Sequence, residues 1–132
     1  MKKILIVDDS RAEARLIESV LARAGYTPVA ICDPRQVEPT IAAERPQLVL
    51  LDVVMPGRNG FQVCRELKGH VEYRRIPVVL VTSKSGDSDR FWGQQQGADG
   101  YVSKPFTPEQ LLAEVGRFCS PALAGQDWRK EL

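Results

Sequence analysis

Four short runs of this 132-residue chain are continuously apolar and rich in β-branched residues: residues 4–7, 48–51, 78–81 and, more weakly, 101–102. A strand with one wet face alternates apolar and polar residues. An unbroken apolar run needs cover on both faces, as in a parallel sheet. A fifth run, residues 27–32, contains Pro28, which cannot donate to a ladder and so belongs at a sheet edge.

Helical patterns separate these runs. Ser10 is placed to cap a first helix, with Glu13 completing a capping box. Ile17, Val20, Leu21 and Ala24 recur on one face of it, and Gly25 stops it. Asp33-Pro34 opens a second helix within residues 33–44. Pro39 should leave that helix short or irregular at its start, because it removes a hydrogen bond. Phe61, Cys64, Leu67 and Val71 mark a third helix. Residues 87–96 make a polar fourth one ending at Gly97. Its adjacent Phe91 and Trp92 cannot both face the core, so one is expected inside and the other exposed. Thr107, Pro108 and Gln110 start the fifth, with Leu111, Leu112, Val115, Phe118 and Cys119 as its buried face. Five strands and five helices in strict alternation, joined by right-handed crossovers, predict an α/β fold of the flavodoxin-like (βα)5 type. It is a doubly wound parallel sheet in strand order 2-1-3-4-5. Residues 1–119 form the domain, and residues 120–132, with Pro121, Gly125 and Trp128, read as a C-terminal tail, flexible or docked.

Composition narrows the function classes. Hydrophobic residues at 43% and charged residues at 27% suit one ordinary core. Eighteen basic and 17 acidic residues leave a net charge of +1, so no broad attraction to nucleic acid is expected. The apolar run after Met1 ends at Asp8. It falls short of the roughly 7–15 apolar residues of a secretory segment or the roughly 20 of a membrane span. No membrane insertion and a cytoplasmic location are expected. Cys32, Cys64 and Cys119 are odd in number and widely spaced, which reads as reduced thiols without a metal or redox role. His70 has no ligand-type neighbour and reads as a surface residue late in a helix.

In open α/β sheets ligands bind beyond the carboxyl ends of the strands. The side chains placed there are Asp8 and Asp9 after the first strand, Asp52 after the third, Thr82 and Ser83 at the fourth, and Lys104 after the fifth. Closely spaced carboxylates repel one another, and a hard divalent cation such as Mg2+ relieves the repulsion with oxygen ligands. A carboxylate beside such a cation can attack phosphorus to give an aspartyl-phosphate. Lys104 and the Thr82 hydroxyl can stabilise the charge on the transferring group. Each of these residues alone is an ordinary cap, loop or strand-end residue; the conjunction carries the chemistry.

The motifs Ile4-Leu5-Ile6-Val7-Asp8-Asp9-Ser10, Leu51-Asp52-Val53-Val54-Met55-Pro56, Asn59-Gly60, Val81-Thr82-Ser83 and Tyr101-Val102-Ser103-Lys104-Pro105 resemble the receiver domains of response regulators, chemotaxis regulators among them. The resemblance spans residues 1–119. It implies that Asp52 is the phosphoacceptor and that Asp9, Asp52 and the backbone carbonyl of Val54 bind Mg2+ directly. Asp8 would act through metal-bound water. It also implies that Thr82 hydrogen-bonds the phosphoryl group, that Lys104 pairs with it, and that Tyr101 is an aromatic switch whose ring turns inward when Thr82 moves. A cis Lys104–Pro105 bond is a further implication. So is a role for Val54 and Lys84 in tuning phosphate lifetime. The apolar Val54 cannot orient water and Lys84 adds positive charge, which together suggest a long-lived phosphate.

The expected partners are a histidine kinase or phosphotransfer domain and a downstream protein. The latter would bind the face of the fourth helix, fifth strand and fifth helix, around Tyr101, Trp92 and Phe106, on a monomer or weak dimer. Residues 92–98 also resemble stand-alone receivers of twitching-motility systems. Chemistry is limited to self-phosphorylation and slow self-dephosphorylation, so no classical enzyme is expected. The alternatives are an interaction module that no longer uses phosphate, and a phosphate sink without a dedicated output partner. A flavodoxin would need a phosphate-cradling loop where Asp8-Asp9-Ser10-Arg11 stand. An aspartyl-phosphate hydrolase would need a second carboxylate two residues after the first, where Ser10 and Arg11 stand.

Overall fold

The computed structural model describes residues 2–119; the expected tail, residues 120–132, lies outside them. In chain order the elements are β1 (Lys3–Val7), α1 (Arg11–Arg23), β2 (Thr27–Ile31), a 3-10 turn (Pro34–Gln36), α2 (Val37–Glu44), β3 (Leu48–Leu51), α3 (Gly60–Lys68), β4 (Val78–Thr82), α4 (Asp87–Gln95), β5 (Gly100–Ser103) and α5 (Pro108–Gly116). All strand pairs are parallel, in the order β2-β1-β3-β4-β5. Pro28 lies on the edge strand β2, paired with Ile4 on its one inner side, where a missing donor is tolerated.

The unbroken apolar runs are covered on both faces. Alternate residues Ile4, Ile6, Leu48, Leu50, Val79 and Val81 pack against Ala14, Ile17 and Leu21 of α1 and Leu111 and Val115 of α5. Leu5, Val7, Val49, Leu51, Val78 and Leu80 pack on the other face against Val37 and Ile41 of α2 and Phe61, Cys64 and Leu67 of α3. Burying each such aliphatic side chain is worth about 1.5–3 kcal/mol, which fixes both the strand register and the level at which every strand ends.

Several local expectations change. Pro39 is accommodated because a 3-10 turn, capped by Asp33 Oδ1 accepting from Arg35 N at 2.9 Å, delays the α-helix to Val37. Pro39 then falls in the first turn, where an N–H has no helical partner. Val71 is not on the face of the third helix: α3 ends at Lys68 and Val71 is exposed. His70 is likewise just beyond α3, its ring stacked on Tyr73 at 4.4 Å. Neither aromatic of α4 enters the core; Phe91 is 60% and Trp92 50% exposed. The reason is Gly93, the one buried residue of α4. A Cβ there would lie 3.0 Å from Leu80 Cδ1 and 3.1 Å from Tyr101 Cε2. The helix backbone therefore rests directly on β4 and β5, and the aromatics are turned outward. Among the described residues the cysteines are free, with Cys64 and Cys119 buried and Cys32 half-buried. No described helix is long and apolar enough to cross a membrane.

Candidate functional site

The strand ends deliver the site. The Asp52 N–H donates to Val7 O at 2.9 Å and the Lys104 N–H to Thr82 O at 3.0 Å, so each residue continues the ladder by one step past its strand. Asp8, Asp52 and Thr82 are buried there, and Asp9 is exposed beside them. Asp52 Oδ1 accepts from Val53 N at 2.8 Å and Val54 N at 3.4 Å. Gly60 lets α3 start against this turn: a Cβ on it would sit 2.1 Å from the Asp52 carbonyl oxygen. Its N–H donates to Val53 O at 2.9 Å. The Thr82 hydroxyl accepts from Lys84 N at 3.2 Å.

Lys104 joins three strands. Its ammonium, on a side chain only 10% exposed, lies 2.7 Å from Asp8 Oδ2, 2.8 Å from Glu13 Oε2 and 3.5 Å from Asp52 Oδ2. The peptide bond that follows it, Lys104–Pro105, is cis. Burial raises the Asp8 pKa above its ordinary 3.8, and the hydrogen bonds from Lys104 and the Ser10 N–H offset only part of that. Burial also works against the charged form of Lys104. Its hydrogen bonds to Asp8 and Glu13 and the attraction of Asp52 overcome this, so its pKa rises above 10.5. With three carboxylates around one ammonium, the formal balance is 1 − 3 = −2, and such an excess favours protons or cations.

The carboxylate oxygens of Asp8, Glu13 and Asp52 all lie within 4.8 Å of one another. Hard oxygen donors with uncompensated negative charge suit a divalent cation of the Mg2+ kind. Asp9 is not one of these three, although it flanks them. Glu13 is the residue that sequence reading placed elsewhere. The expected capping box is half made: Ser10 Oγ accepts from Glu13 N at 3.3 Å. The Ser10 N–H donates to Asp8 Oδ1 at 2.9 Å instead of to Glu13, which frees the Glu13 carboxylate for Lys104. The detectable signal was a carboxylate in the first turn of the helix that leaves Asp8 and Asp9.

The expected switch face is also placed. Tyr101 is half-buried, its hydroxyl donating to Lys84 O. Arg90 lies 5.0 Å from the centre of that ring and donates to Ser103 Oγ at 2.6 Å and Ser85 O at 3.3 Å. The Lys84 ammonium pairs with Asp89 at 3.2 Å, so its charge is spent on α4, contrary to the expectation that it serves the acid site. Phe106 packs at the margin of the core, and Trp92 stands out in solvent. An open groove of about 600 Å³ runs between α4 and α5, lined by Arg90, Phe91, Gln94, Tyr101 and Arg117.

A doubly wound sheet whose first, third and fifth strands bring two buried aspartates and a lysine together, with a buried threonine ending the fourth, defines a narrow class. This chain belongs to the response regulator receiver domain family, whose model matches residues 4–116. It is 33% identical over 138 residues to the transcriptional regulatory protein GltR of Pseudomonas aeruginosa; the match covers 97% of this chain and 57% of that protein. The chain thus spans little more than half of that relative's length. Among solved structures it is similar to the chemotaxis protein CheY4 of Vibrio cholerae, with TM-score 0.84 and 30% identity over 89% of this chain and 98% of that one. It is also similar to the receiver domain of the sensor histidine kinase PA1611 of P. aeruginosa. There the TM-score is 0.80 and identity 27%, over 89% of this chain and 96% of that one, and a magnesium ion is coordinated in that protein's active-site cleft.

Proposed function

We propose that this domain is a phosphorylation switch of a two-component phosphorelay, with Asp52 as phosphoacceptor. The observation that carries the reading is the meeting of Asp52 and Lys104 at 3.5 Å from chain positions far apart, at the strand ends of a receiver fold. Phosphohistidine of a kinase or phosphotransfer partner is the donor. An oxygen–phosphorus bond forms at the Asp52 carboxylate, the phosphorus–nitrogen bond breaks, and the leaving imidazole takes a proton. Asp9, Asp52 and the Val54 carbonyl would hold Mg2+, with Asp8 behind a bound water. The ion would supply charge neutralisation for the transferring group. Lys104 and the Thr82 hydroxyl orient and neutralise the phosphoryl oxygens. Thr82 then gives up its role as acceptor from Lys84 N. That loosens the loop to which Tyr101 is bonded and alters the α4–β5–α5 face, with Trp92 and Phe106 at its edges, toward a downstream protein. Residues 1–119 act as the unit, in the cytoplasm. Residues 92–98 and the likeness to a chemotaxis protein support a chemotaxis-like or twitching-motility process.

Incubation with acetyl phosphate and Mg2+ tests the reading by intact mass. The wild-type protein gains one phosphoryl group, and neither Asp52→Ala nor protein in EDTA does. No gain in the wild type would favour an interaction module that works without phosphate.

A further inference from the structure

The three carboxylates around Lys104 do not hold it equally. The Asp8 side chain is 2% exposed and that of Glu13 48%, at nearly the same distance from the ammonium. From this unequal sharing we infer that Glu13 is a positioning residue of the phosphorylation site. It competes with a phosphoryl group on Asp52 for the Lys104 ammonium, and it strengthens divalent-cation binding. The inference rests on Asp52 being the phosphoacceptor.

A lysine ammonium is a compact charge with three donors. A phosphoryl group brings a charge of about −1.5 to −2 and three acceptor oxygens. Formed on Asp52, it arises on a side chain already 3.5 Å from Nζ. Two of the three donors are already on Asp8 and Glu13, at 2.7 and 2.8 Å, so a phosphoryl group that draws more than one bond from the ammonium takes it from one of these partners. Leaving Asp8 would take a charge-assisted hydrogen bond from a buried carboxylate that keeps only the Ser10 N–H and a metal-bound water, which is the more unfavourable loss. Leaving Glu13 exchanges a half-exposed ion pair for water, at small cost. Glu13 is therefore the partner that yields, and its hold on Lys104 sets how readily the phosphorylated arrangement forms. Its oxygen also lies within 4.8 Å of those of Asp8 and Asp52, so its charge adds to the attraction for a divalent cation. Removing that charge acts in opposite directions on the two ligands.

The test is Glu13→Gln, with Mg2+ affinity measured by calorimetry and beryllofluoride affinity at saturating Mg2+. Mg2+ should bind about two- to fivefold more weakly and beryllofluoride about two- to fivefold more tightly. Glu13→Asp keeps the charge but shortens the reach, so it should retain Mg2+ affinity and still gain beryllofluoride affinity. In a Lys104→Met background the beryllofluoride gain of Glu13→Gln should vanish. Affinities that fall together, as misfolding would cause, or that both stay unchanged, overturn the inference. Wild-type protein that binds neither ligand overturns the phosphoacceptor reading and this one with it.

Discussion

The acid end of the sheet and the α4 face are built on opposite terms. Around Asp52, strand ends, backbone donors and Lys104 hold each group from several sides, and the flanking helices are well anchored. α1 buries Ala14, Ile17, Val20 and Leu21, and α3 buries Phe61, Val63, Cys64 and Leu67 together with Gly60. α4 buries Gly93 alone and is tied down by polar contacts: Arg90 to Ser85 and Ser103, Lys84 to Asp89, and Tyr101 to Lys84. Apolar anchoring of a helix is lost only with much of the core, whereas exposed ion pairs and hydrogen bonds exchange with water at little cost. In the proposed switch, a charge change at Asp52 would be converted into movement at the element whose attachments are cheapest to rearrange.

The contrast breaks most visibly under truncation. Leu21→Ala should lose about 2–5 kcal/mol, while Phe91→Ala or Trp92→Ala should stay within about 0.5 kcal/mol, all by urea unfolding without Mg2+. If the α4 substitutions matched Leu21→Ala, α4 would be an anchored helix after all. Mg2+ at about 100 times its dissociation constant should add about 2.7 kcal/mol in thermal unfolding, and Asp52→Ala should abolish most of that gain.

The pH dependence sharpens the picture of the acid end. Asp8 has its pKa raised on folding, so its contribution is full below 3.8 and lost as pH rises through the folded value. Asp8→Asn should therefore be more stable relative to wild type at neutral pH than below pH 3.8, in Mg2+-free titrations. At the alkaline side, burial pushes the Cys64 thiol from 9.0 up to about 11. Its contribution is full below pH 9 and lost between there and about pH 11, a slope that Cys64→Ala should remove. A small effect is expected at Arg90→Ala. Loss of the cation above Tyr101 should lower stability by about 0.5–1 kcal/mol, seen as a shift in the urea midpoint.

The strands and their order were legible because burial on both faces leaves an unbroken apolar run, and Pro28 marks the edge. The positions of Asp8, Asp52, Thr82 and Lys104 at one end of the sheet were legible because strand ends must meet at one edge of a parallel sheet. Three features were not. Glu13 looked like a cap because Ser10-x-x-Glu13 is a capping pattern, and only the fold shows that Asp8 takes the Ser10 N–H. Phe91 and Trp92 looked half-core because a helix was assumed to bury a side chain, and Gly93 seats α4 by its backbone. Lys84 looked free for the site because Asp89, five residues on, becomes its partner only once α4 winds.

Hydrogen exchange with Mg2+ and beryllofluoride tests the division of labour directly. Amides of α4 and the loop before it should change their exchange rates beyond any change in the core strands. Those of β1 and β3, which open only with the whole domain, should slow by the factor the ligands add to global stability and no more, and Asp52→Ala should show no α4 response. An unchanged α4 in the wild type, or the same α4 change in Asp52→Ala, would contradict that division.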